Sequence, residues 1–92
     1  MTEQDAQVLL KTALETSQMF HILAADLSDR LDDTEAKAAR LNIGYVLAEI
    51  GERLLDPVFA AHPQYKPDNT GEAWRELCRK VGARDMRQAT GL

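Results

Sequence analysis

The chain is predicted to be all-α: a long antiparallel helical hairpin plus a short C-terminal helix, a three-helix domain that pairs into a dimeric helical bundle. Three observations carry this prediction. Leucine and alanine far outnumber valine, isoleucine and threonine, which favours helix over sheet. Apolar residues recur at helical spacing over long stretches. Only three prolines and five glycines interrupt 92 residues. With 45% hydrophobic residues the chain is expected to fold as a single helical domain, residues 1–92, near the lower size limit for one core.

The first helix is expected over 3–31. Thr2 is a good N-cap, and Asp5 places a negative charge in the first turn. At 100° per residue Leu9, Ala13, Phe20, Leu23, Ala24, Leu27 and Leu31 form one stripe, widened by Leu10 and Leu14. Lys11, Glu15, Gln18 and Asp29 occupy the opposite, solvated face. Val8, Met19 and Ile22 interrupt that polar face, which suggests an additional contact.

A second helix is expected over 33–55, with Asp32 as N-cap and Glu35 in a capping box. The connection is so short that the two helices must run antiparallel. Pro57 lacks an N–H and its ring would meet the Arg53 carbonyl, so the helix ends there. Asp56 can then cap a short helix over 57–62, a kinked continuation being the alternative.

"HPQYKPDNTG" reads as a loop, because Pro63 and Pro67 hold the residues before them extended. A third helix over 70–81 opens with Asn69 as N-cap and Glu72 three residues on, and stops at Gly82. It buries Trp74, Leu77, Cys78 and Val81 on one face, with Trp74 plugging the open end of the bundle. The tail 83–92 has no trustworthy periodicity and is expected to be partly mobile.

The hairpin is too long for its third helix. Nearly 30 residues extend about 45 Å and 12 residues only about 18 Å. The second helix also has two apolar directions. Ala36, Ile43, Leu47, Ile50 and Leu54 mark one; Leu41, Gly44, Ala48, Gly51 and Leu55 mark another, about 80–100° away. Asn42, Tyr45, Glu49, Glu52 and Arg53 are left to water. Leu41, Gly44, Ala48, Gly51 and Leu55 would form a helix-packing groove, and its expected occupant is a second copy of the chain, the third helix being the alternative.

The formal charge of −4 is unevenly spread. Residues 1–35 set eight acids against Lys11 and Arg30; residues 72–92 set five cations, Arg75, Arg79, Lys80, Arg84 and Arg87, against three acids. An acidic chain without a helix-turn-helix pattern argues against nucleic acid as a partner. The C-terminal arginines can equally pair with the acidic first helix.

No chemically coherent catalytic set is present, so the expectation is not an enzyme. His21, at the edge of the first stripe, reads as a hydrogen-bonded boundary residue. Glu49 and Glu52 lack the Glu-x-x-His companions of a di-iron bundle. Asp26, Asp29, Asp32 and Asp33 lack calcium-loop spacing. Cys78 is alone, which rules out an internal disulfide and fits a reducing, cytoplasmic setting. Neither His62 nor His21 is specified as its partner. No metal and no cofactor is expected. The N-terminus has no secretory pattern, and no apolar run is long enough for a membrane.

The reading is therefore a small helical protein-interaction module, an adaptor, inhibitor, immunity-type or chaperone-like protein acting as a homodimer with a further, unidentified protein partner. Val8, Met19, Ile22 and Tyr65 are its expected partner surface, Tyr65 as an exposed tip between two prolines. The alternative is an enzyme or metal- or ligand-binding bundle with a site formed between subunits.

Overall fold

The computed structural model describes residues 1–89. Its elements are helix α1 (Glu3–Arg30), α2 (Asp33–Ile50), a π turn (Gly51–Leu55), α3 (Asp56–Ala61), a 3-10 turn (Pro63–Tyr65), α4 (Gly71–Val81) and α5 (Met86–Ala89), with no strand among the described residues.

Helix α1 begins where its cap places it. Thr2 Oγ1 accepts from the Asp5 N–H at 3.1 Å, and Asp5 Oδ2 accepts from the Thr2 N–H at 3.4 Å. The reciprocal pair satisfies two donors that the first turn leaves free. Asp32 Oδ1 likewise accepts from Glu35 N–H at 2.8 Å, and that bond holds the Asp32 carboxyl below its ordinary pKa. Two residues between α1 and α2 fold the chain back on itself.

From α2 to α3 the helix continues rather than restarting from a cap at Asp56. Asp56 is helical (φ −58°, ψ −42°) and makes no side-chain cap; its N–H reaches back five residues to the Gly51 carbonyl. The chain therefore stays helical and widens by one residue just before Pro57. Such a π turn rotates everything after it by about one helical position. Leu55, expected in the groove, is buried with Val58 and Phe59, and Leu54, expected in the core, is exposed.

The later elements also correct the sequence reading. Thr70, not Asn69, caps α4: its Oγ1 accepts from the Ala73 N–H at 3.1 Å. Gly82 ends the helix in the left-handed region (φ 75°), where a Cβ would be strained. The tail is docked as far as it is described, with Met86 buried. Residues 90–92 of the expected mobile segment lie outside the described residues.

The core sits at one end of the molecule. Leu10 and Val58 are its largest fully buried side chains. Ala6, Leu14, Leu55, Phe59, Leu77 and Val81 close around them. Burying each leucine or valine contributes about 1.5–3 kcal/mol. Phe59 meets Trp74 edge to face, ring centroids 6.2 Å apart. This head uses α1 up to about residue 18 and the chain from about residue 47 onward.

Beyond it, residues 19–46 form a two-helix arm. There only Ala36 and Ile43 are buried, while Leu23, Leu41, Tyr45 and Val46 are exposed. The radius of gyration is 14.3 Å and the extents are 45 × 26 × 21 Å, against a radius of about 12 Å for a compact chain of this length.

Candidate functional site

One charged side chain inside the head explains how the tail is held. Glu15, expected on the solvated face of α1, is 8% exposed. Arg84 donates to it three times: backbone N–H to Oε2 at 2.9 Å, Nε to Oε2 at 3.3 Å and Nη2 to Oε1 at 3.1 Å. These bonds lower its pKa from 4.5 to about 2, the Arg84 side chain contributing most. Gln18, one turn on, donates to the Arg84 carbonyl at 2.9 Å and accepts from Met86 N–H at 2.9 Å. A buried carboxylate without such partners would be strongly unfavourable. Glu15 and Gln18 are thus the tail's docking residues, and the only sequence signal for them is the opposite charge at Arg84.

Tyr65, expected as an exposed tip, is 2% exposed. Gln7 Nε2 donates to its Oη at 2.8 Å, and that hydroxyl donates to Glu3 Oε1 at 2.9 Å. Burial pushes its phenol pKa up. Lys80 Nζ stands over its ring, 5.3 Å from the centroid, and His62 packs beside it at 6.4 Å. The phenol ring is apolar enough to fill the head and its hydroxyl finds partners at the head's rim.

The remaining expected partner residues divide. Val8 and Met19 are 62% and 50% exposed, whereas Ile22 is half-buried. Ile22 lines a cleft of about 760 Å³ between the middle of α1 and the segment α4–α5. Trp74, Cys78 and Ala83 share its apolar lining, while His21 and the arginines 75, 79, 84 and 87 border it. Arg79 pairs with Glu76, and Arg84 with Glu15; Arg75 has no ion pair among the described residues. The thiol of Cys78 is held above its ordinary pKa, chiefly by burial and then by the charge of Glu15. That is the wrong direction for a nucleophile.

In the groove, Leu41 is 59% exposed, Gly44 and Ala48 are exposed and Gly51 is half-exposed. A Cβ built on Gly44 or Gly51 would meet nothing within 4 Å. Among the described residues of one copy, no neighbouring atom therefore requires either position to be glycine. Glu49 and Glu52 both face water, Glu49 paired with Arg53. Among the described residues no group of three or more His, Cys, Asp or Glu side chains could hold a metal ion. No described helix is long and apolar enough to cross a membrane. Comparison with family models, with curated proteins and with solved structures gave no match.

Proposed function

We propose that the chain is a small helical protein-interaction module, acting as a homodimer and without enzymatic activity, that engages a further protein partner in the manner of an adaptor, inhibitor, immunity-type protein or small chaperone. One observation carries this reading: the chain exposes too much surface. Its accessible area is 6418 Å², while a compact monomer of its mass, 10.3 kDa, exposes about 5,400 Å². The excess, about 1,000 Å², is comparable to the roughly 800 Å² that each partner buries in a standard protein interface. Most of the large exposed apolar side chains, Met19, Leu23, Leu41, Tyr45 and Val46, lie on the arm, where two helices have only each other to cover their apolar faces. Leu41, Gly44 and the exposed Met19 belong to that surface, and Ala48 and Gly51 carry the groove on toward the head. A reducing cytoplasmic setting suits the lone Cys78.

Light scattering on the purified chain tests the self-association directly. The expected mass is twice 10.3 kDa at micromolar concentration; a mass of one chain up to millimolar concentration overturns the dimer. Met19→Asp is expected to weaken partner capture with helicity unchanged, and undiminished capture would remove Met19 from the partner surface.

A further inference from the structure

We propose that the arginine cleft is a docking site for a second copy of this chain, filled by the acidic tip of the partner's arm, with each copy donating its tip to the other's cleft. The inference rests on the dimeric reading above and specifies its geometry.

Charge complementarity supplies the first support. Among the described residues the cleft border carries Arg75, Arg79, Arg84 and Arg87 with Asp85 as the one acid in its lining; Arg84 pairs with Glu15 and Arg79 with Glu76 behind it, which leaves the border net positive. The arm tip carries Asp26, Asp29, Asp32, Asp33 and Glu35 against the single Arg30. Cleft and tip thus concentrate opposite signs in one chain, and separated charges of this kind steer two copies into one orientation.

Position supplies the second. Gln18, His21 and Ile22 place the cleft on α1 about ten residues before the tip, or about 15 Å at 1.5 Å per residue. Two arms laid antiparallel and related by a two-fold axis at the midpoint bring both tips to both clefts at once.

The flank that the partner arm would cover supplies the third. Gln7, Leu14, His21 and Ser28 follow at seven-residue spacing, so they share one flank of α1. That flank faces the C-terminal segment at Gln7, which bonds Tyr65, and at His21, which borders the cleft. Across the arm, Arg40 Nη1 donates to Ser28 Oγ at 3.0 Å. Arg40 therefore marks the same flank of α2, where Gly44 and Ala48 follow at i+4 and i+8. The flank between cleft and tip is consequently the one on which Gly44 offers empty space to an approaching helix.

A charge-exchange experiment tests this. Arg75→Glu with Arg79→Glu makes one variant, and Asp29→Lys with Asp33→Lys makes the other. All four positions are exposed, so both variants should keep the wild-type helical circular dichroism. Each alone sets like charge against like and is expected to run as a monomer, with its dimer dissociation constant raised at least tenfold. Mixed one to one, they should recover the wild-type dimer mass, because each cleft then meets a tip of opposite charge. If the wild type is dimeric and both variants stay dimeric, the cleft is not in the interface; this proposal falls and the dimer stands. If the wild type is monomeric, the dimeric reading itself falls. A monomeric wild type whose melting temperature rises with an added acidic peptide would assign the cleft to a different protein.

Discussion

Glu15 shows how much a single side chain can decide in a chain this small. Its carboxylate is buried, and three donor contacts from one residue, Arg84, satisfy it. Hydrogen bonds to a charged group are worth about 1.5–3 kcal/mol, so Glu15→Gln is expected to lower stability at pH 7 by roughly that amount. In a domain this size 1 kcal/mol is about 4–8 °C of melting temperature. The pH dependence has a definite sign. The folded pKa, about 2, lies below the ordinary 4.5, so the contribution is complete above pH 4.5 and drains away as the pH falls toward 2. Urea melts between pH 7 and pH 2.5 should show wild type and Glu15→Gln converging in that window; parallel curves would mean that the Arg84 bonds add nothing. Sequence periodicity placed Glu15 on a wet face because it sees only the helix. The neighbour that buries Glu15 comes 69 residues later.

At the level of elements, the capped and periodic pieces were legible. The start of α1, the Asp32 cap and the glycine stop at Gly82 all follow from local chemistry, whereas the cap of α4 fell one residue later than read, on Thr70. What local chemistry could not show was how the chain accommodates Pro57. Both a new cap at Asp56 and a kinked continuation remove the clash with Arg53; the chain takes a π turn, and the rotation exchanges the roles of Leu54 and Leu55. The short helix at Met86 was missed for a related reason, since four residues carry no readable period and Met86 is held by Gln18 from another element. Of the candidate site, Met19, Val8 and the glycine groove were readable as surface. The cleft was not, because it exists only once α4 and the tail have docked. Gly44 permits a direct test. It is helical, exposed and open on its Cβ side, so Gly44→Ala should stabilise an isolated monomer by about 0.5–1 kcal/mol through helix propensity. If a partner helix packs there, Gly44→Leu should weaken self-association while leaving helicity intact. Unchanged mass for Gly44→Leu in light scattering would free that groove from any packing role.

The whole molecule divides into a well-packed head and an under-covered arm, and amide exchange should report the division. Residues 20–30 and 34–46 are expected to exchange faster than α3 and the first half of α1 in dilute solution. Their protection should rise with protein concentration if arms pair; concentration-independent exchange would argue that the arm stays bare. The bonds that tie the tail to α1 also bear on the order in which the protein can be made. Within the arm Arg40 joins Ser28 across 12 positions, whereas the head needs Tyr65 against Glu3 and Arg84 against Glu15, 62 and 69 positions apart. Closing such long loops is the slow part of a search for structure. On a ribosome the residues of the arm emerge well before residue 77, whereas Leu10 must wait for Leu77 and Val81 and Glu15 for Arg84. Until residue 84 arrives, the Glu15 carboxylate lacks the three Arg84 donor contacts that let it be buried.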